Sequence, residues 1–421
     1  MTLHRRIRSI VGGSVGNLVE WFDWYVYASF SLYFAASFFP KGDPTAQLLN
    51  TAAVFAVGFL VRPLGGWLLG WWADRHGRKS ALLLSVWMMG GGSMMIALTP
   101  SYAVIGVAAP ILLVIARIVQ GISVGGEYGA SATYLSEMAA SKRRGFWASW
   151  QYVTLVGGQL LALTVLILLQ LTLTEAELNS WGWRIPFALG GFAALVAILL
   201  RRRMEETPSF EALTAAQRTD QMRRLFQHPR QILTVVGLTA GGTLAFYTFS
   251  TYMQKYLANT AGFSKPQATM IAALSLVVFM LLQPLFGALS DRIGRRRQLI
   301  AFGAIGLLTT VPLMEAIGTA TTPTNALVLV IAALTINALY SSISGLVKAE
   351  LFPADIRALG VGLPYAFAVA LFGGTAEYIA LKLKDIGHES WFFWYVTAAI
   401  AMSLIVYITM PETRDRSEIN D

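Results

Sequence analysis

GWWADRHGRK, from Gly70 to Lys79, and GALSDRIGRR, from Gly287 to Arg296, are two copies of one ten-residue motif. Gly, Asp, Arg, Gly and Arg fall at matching places, 217 residues apart in a chain of 421. Each copy closes one apolar run and opens onto the next. The chain therefore reads as two similar halves embedded in a membrane, each carrying the same short charged turn.

Composition agrees with that reading. The chain is 55% hydrophobic and 13% charged, with mean hydropathy +0.57, where a soluble protein carries roughly 25% charge. About a dozen apolar runs are long enough to cross a ~30 Å hydrocarbon core as helices. They cover residues 10–36, 47–70, 81–99, 104–128, 145–170 and 184–201, then 231–258, 265–289, 298–318, 325–350, 357–381 and 390–410. The net charge of +9 is topological rather than a nucleic-acid footprint. With the N-terminus cytoplasmic, 24 of the 32 Lys and Arg fall on the termini and the turns of that side. Six face the other side and two, Arg62 and Arg117, lie inside spans. That bias places both termini in the cytoplasm.

Cysteine is absent, which excludes disulfides, thiolate metal sites and cysteine nucleophiles. Arg5, Arg6 and Arg8 resemble the start of a signal peptide. The run after them is too long for one and carries Asn17, Glu20 and Asp23, so it reads as the first spanning helix. No phosphate-binding glycine loop, zinc spacing or catalytic constellation occurs, so no cofactor or metal is expected and the chain does not read as an enzyme.

The longest polar stretch, Arg201 to Arg230, divides the spans six and six. A second repeat supports the division: Glu137 precedes Arg144 by seven residues and Glu350 precedes Arg357 by seven, at an offset of 213. The expected organisation is an N-terminal six-helix half over 1–200, a cytoplasmic linker over 201–230, a C-terminal half over 231–410 and a short tail over 411–421. This is an all-α membrane protein of twelve transmembrane helices, the major facilitator architecture. Asp74, Arg75 and Arg78, with Asp291, Arg292 and Arg295, sit at helix ends in tight turns. Together with Glu137, Arg144, Glu350 and Arg357 they read either as a latch between the halves or as a pure topology signal, and the two are compatible.

Charge inside the bilayer marks function by default, because each group costs about 2.5–3.5 kcal/mol to insert. Asn17, Glu20 and Asp23 share one arc of the first helix at i, i+3, i+6 spacing. Arg62 lies in the second span; Arg117 lies mid-way along the fourth, with Gln120 on the same face. Two buried arginines on separate helices suit an anionic ligand, since guanidinium matches carboxylate in bidentate fashion. A permanently paired structural cluster is the alternative for Glu20 and Asp23. All four histidines fall outside the spans, so a coupled proton must ride on a carboxylate, Glu20 or Asp23. Tyr247, Tyr252 and Lys255 of the seventh span read equally as cavity contacts and as interfacial anchors. Gly121, Gly125 and Gly129 read as close-packing positions for a neighbouring helix.

The stretches GNLVEWFDWYVY (Gly16–Tyr27), GFLVRPLGGWLLG (Gly58–Gly70), RIVQGISVGGEYG (Arg117–Gly129) and WGWRIPFALG (Trp181–Gly190) resemble the metabolite:proton symporter family of the major facilitator superfamily. The resemblance continues through QYVTLVGGQLLAL (Gln151–Leu163), FYTFSTYMQKYL (Phe246–Leu257) and FWYVT (Phe393–Thr397), nearly end to end. It implies proton-coupled import of a dicarboxylate, α-ketoglutarate, across the bacterial inner membrane by a monomer that works by alternating access. Arg62, Arg117 and Gln120 would bind substrate with Tyr252 and Lys255 as secondary contacts, and Glu20 or Asp23 would carry the proton. The same family also implies rivals: citrate, shikimate or betaine as solute. A receptor that binds without moving its solute is the distant reading, and the short linker and tail disfavour it.

Overall fold

The structure is a computed structural model. It describes residues 3–40, 44–76, 78–138, 143–201, 221–353, 356–414, 417 and 419. Among these, twelve long helical segments follow the hydropathy pattern. In the first half they are α1 (Leu3–Phe38), α2 (Pro44–Leu60, resuming after Val61 as Arg62–His76), α3 (Arg78–Leu98), α4 (Ala108–Val124, resuming as Glu127–Met138), α5 (Arg144–Thr172) and α6 (Arg184–Arg201). In the second half they are α7 (Pro229–Asn259), α8 (Lys265–Ile293), α9 (Arg295–Gly318), α10 (Pro323–Glu350), α11 (Arg357–Asp385) and α12 (Glu389–Thr409). Eight of the described helices are long and apolar enough to cross a membrane, and stretches of α3, α4 and α6 are shorter apolar helices.

Local chemistry sets the helix starts. Ser264 and Gln267 form a reciprocal capping box at α8, and the Thr322 hydroxyl accepts from the Asn325 amide at α10. Each satisfies amides that the first turn leaves free. Proline stands in the first turn of α7, α8 and α10, where its missing N–H costs nothing. Glycine sets the helix spacing. A methyl on Gly158 of α5 would meet Trp21 and Phe22 of α1, and one on Gly241 of α7 would meet Ala399 and Ile400 of α12. Lipid tails are as apolar as leucine, so such close backbone approaches supply the attraction between helices.

Two features break the α-helical period. α7 contains a π-helical stretch at Tyr247–Tyr252 and α11 one at Val369–Gly373. They meet: a methyl on Gly373 would touch Tyr247, and one on Gly374 would run into Phe59 of α2. Both irregular turns of the second half thus abut the first half beside Arg62.

The two halves touch at both ends. At the end carrying the C-terminal tail (the tail end), Gly129 of α4 faces Gly362 and the Ala358 carbonyl of α11. Glycines at four-residue spacing do serve close packing: Gly121 faces the Gly58 carbonyl and Gly125 the Arg62 carbonyl. At the opposite end, Gln170 of α5 donates to the Thr269 hydroxyl of α8 at 3.1 Å, and Lys265 pairs with Glu175 at 2.7 Å.

Candidate substrate site and gates

Trp24 of α1 is fully buried and organises the centre of the molecule. The Arg62 guanidinium lies 4.1 Å and the Arg117 guanidinium 4.0 Å from its ring centroid. Arg62 also lies 3.9 Å from the Phe59 ring, and Arg117 lies 4.4 Å from Tyr27. Gly58 makes the arrangement possible, since a methyl there would come within 2.9 Å of Trp24 and 3.4 Å of Arg117 Nε. Neither arginine reaches a carboxylate ion-pair partner among the described residues. Nε and Nη2 of both are buried without a hydrogen-bond acceptor. Aromatic faces supply about 2 kcal/mol per desolvated cation, and bare N–H groups in the interior cost roughly 1–3 kcal/mol or more. The cluster therefore keeps several buried donors that no described side chain satisfies.

A polar chain runs from Arg117 to Asp23. Arg117 Nη1 donates to Gln120 Oε1 at 2.9 Å; Gln120 Nε2 donates to Asp23 Oδ2 at 3.1 Å and to Ser93 Oγ at 2.8 Å. Ser93 Oγ in turn donates a short hydrogen bond to Asp23 Oδ1. All four side chains are buried. Glu20 is half-buried. Hence Asp23, Arg62, Arg117 and Gln120 come together, and Ser93 and Trp24 join them. The side chain of Asn17 lies outside the described residues.

Tyr252 and Lys255 lie elsewhere. The Tyr252 ring packs on Tyr256 and Phe392 inside the second half. Lys255 Nζ donates to Glu377 Oε2 of α11 at 2.8 Å and to the Ala28 carbonyl of α1 at 3.1 Å. Lys255 is thus an interhelical tie, one turn beyond Trp24, rather than a bare cavity cation. Tyr247, five residues before Tyr252 on α7, is the tyrosine that stands beside Arg62 and Phe59.

The second copy of the repeated motif joins the two halves at the tail end. Gly287 lets α8 approach α5 so closely that a methyl there would lie 2.5 Å from the Gly145 carbonyl. Asp291 then accepts from the amides of Gly145 at 2.8 Å and Phe146 at 3.0 Å, the free N–H groups that open α5. Gly294 turns the chain at φ +95°, a conformation side chains resist. Arg295 Nη1 pairs with Asp291 at 2.8 Å, and its Nη2 lies 3.7 Å from Glu350. Arg292 is exposed, and Arg357 Nε donates to the Phe352 carbonyl at 3.0 Å. Arg144 is buried at the same junction. The side chains of Asp74, Arg75, Arg78 and Glu137 lie outside the described residues.

Tyr247, read from sequence as a cavity contact or an anchor, belongs to this region, and two features that the sequence reading passed over join it. Tyr247 stands beside Arg62. Tyr128 of α4 and Tyr365 of α11 stack across the halves with centroids 3.4 Å apart. Lys348, counted from sequence with the charged turns, is fully buried against them.

Two six-helix halves that touch at both ends, with two buried arginines at the centre, are the build of a membrane solute transporter. The chain belongs to the Major Facilitator Superfamily, whose family model matches residues 14–376; it is a transporter and not an enzyme. It is 56% identical over 406 residues to the alpha-ketoglutarate permease of Escherichia coli K12, covering 96% of this chain and 94% of that protein. It is 33% identical to the citrate-proton symporter of Klebsiella pneumoniae (94% and 90% covered) and 30% identical to the Escherichia coli K12 proline/betaine transporter (97% and 84%). A D-xylose-proton symporter crystal structure superposes with TM-score 0.76 over 98% of this chain and 99% of that one, at 20% identity, which establishes the fold.

Proposed function

We propose that this chain imports α-ketoglutarate with protons across the bacterial inner membrane by alternating access. The carrying observation is the Arg62–Trp24–Arg117 stack, in which two buried guanidiniums present hydrogen-bond donors with no acceptor. A dicarboxylate brings two anionic forks, and each can take a guanidinium in bidentate fashion. The 56% identity to a permease named for α-ketoglutarate supports that solute over citrate.

Asp23 is the proposed proton site. Gln120 links it to Arg117, so the two sites share one hydrogen-bond chain. An anion on Arg117 cancels the positive charge that favours ionised Asp23. Substrate and proton then favour each other's binding, and the coupling is reciprocal. Residues 1–200 and 231–410 are taken as the rocking bodies, with 201–230 as linker, 411–421 as tail, both termini cytoplasmic, and a monomer as the working unit.

The test is uptake of labelled α-ketoglutarate into proteoliposomes with and without an inward proton gradient, for the wild type and for Arg117→Gln. Wild-type accumulation should follow the gradient, and Arg117→Gln should lose it while remaining inserted. Uptake of citrate, shikimate or betaine in place of α-ketoglutarate would transfer the reading to that solute. Normal uptake by Arg117→Gln would remove Arg117 from the site.

A further inference from the structure

Lys348 is a further buried cation, on the tail side of the arginine pair. It sits in the last turn of α10 and is fully buried. Its Nζ reaches Ser344 Oγ at 3.2 Å and the Tyr128 hydroxyl at 3.4 Å, both long contacts. It lies 4.3 Å from the Tyr365 ring centroid and 5.3 Å from that of Tyr128. No carboxylate pairs with it among the described residues. Removing an ammonium from water without a counter-charge costs several kcal/mol, so a chain that only needed packing here has less demanding residues to use.

Its position along α4 is informative. Arg117 is on α4 itself. The Arg62 guanidinium shares the Trp24 ring with that of Arg117, at 4.1 and 4.0 Å from the centroid, while the Arg62 backbone packs on Gly125, further along α4. Tyr128 and Lys348 come one turn later. Three buried basic groups therefore follow one another, the arginine pair on Trp24 at the centre and Lys348 nearer the tail end. Trp24 separates the first two, and Tyr365, which is close to both Arg62 and Lys348, separates the second from the third. Beyond Lys348 is the Gly129–Gly362 contact that closes the tail end.

We propose that Lys348 is a release station: it takes a substrate carboxylate from Arg62 as the Tyr128–Tyr365 stack parts, and so sets affinity on the tail side alone. This rests on the reading of an organic anion as substrate. A lysine ammonium suits the task because it is a mobile point charge with three donors, two of them now weakly used.

Lys348→Gln, Lys348→Met and Lys348→Arg should be compared with the wild type in right-side-out and inside-out membrane vesicles. In Lys348→Gln and Lys348→Met, KM for α-ketoglutarate should rise about tenfold or more from the tail side and stay within about threefold from the opposite side. Lys348→Arg should restore at least half of that loss. Thermal midpoints in detergent should be unchanged or higher in Lys348→Gln and Lys348→Met, because a buried amine without a carboxylate partner has been removed. Equal KM changes on both sides, no change on either, or a fall in midpoint for both neutral variants would overturn the proposal; the last would assign Lys348 to holding the fold. If wild-type vesicles carry a different acid, the substrate reading fails there, and the sidedness of Lys348→Gln is measured with that acid.

Discussion

Replacing Asp291 by Asn should open the tail end, and the size of the effect comes from its bonds. In the closed arrangement the carboxylate accepts from two amides at the start of α5 and pairs with Arg295. An Asn side chain offers one oxygen. Its NH2 faces an amide N–H, and the countercharge to Arg295 is gone. A hydrogen bond to a charged group is worth about 1.5–3 kcal/mol, so losing one costs roughly 2 kcal/mol. Once α5 and α8 separate, water solvates either side chain and the substitution matters little. The closed-to-open ratio should then fall about 30-fold, at about 1.4 kcal/mol per tenfold. The chain has no cysteine, so one introduced thiol reports alone. Ala132 is buried on α4 opposite Gly345 of α10. Alkylation of Ala132→Cys by a maleimide added on the tail side counts openings. The rate should rise at least about tenfold in Ala132→Cys/Asp291→Asn. A rise of less than about threefold would show that glycine packing, not the carboxylate, keeps this end shut.

Two other substitutions examine the centre and the far gate. Asp23→Asn should keep substrate counterflow while losing accumulation against a proton gradient; gradient-driven accumulation at the wild-type level would clear Asp23 of the proton role. At the far end, Glu377→Gln leaves Lys255 buried and unpaired, which costs about 3–5 kcal/mol and should lower the thermal midpoint by several degrees. Lys255→Met/Glu377→Leu should recover most of that loss, and a double variant no more stable than the single one would show that the pair does not hold the two helices.

Much of this was legible in the sequence because its signals are local. Length and hydropathy placed the spans within a few residues, from Arg144–Thr172 to Glu389–Thr409. The repeated turn announced two halves, and a buried charge in lipid announces itself by its cost. Asp23, Arg62 and Arg117 came from that rule and Gln120 from its place on the Arg117 face, and the four share one cluster. Tyr247 was read with Tyr252 as cavity contact or anchor, and only the fold tells them apart: Tyr247 stands beside Arg62, and Tyr252 packs inside the second half. Lys348 was hidden by its place near a helix end, where a lysine ordinarily reaches for the interface. The Lys255–Glu377 tie joins residues 122 positions apart, and no spacing rule in one sequence pairs them.

The shared indole has a consequence for how such a protein changes its diet. Two guanidiniums rest on one ring, and Gly58 leaves that ring no room to move. A mutation at position 24 therefore disturbs both arginines together, and a bulkier residue at 58 disturbs the ring and Arg117. New solute preferences in this scaffold should then arise by concerted changes at 24, 58, 62 and 117, with few viable single-step intermediates. A lineage would hold its substrate tightly for long periods and switch rarely.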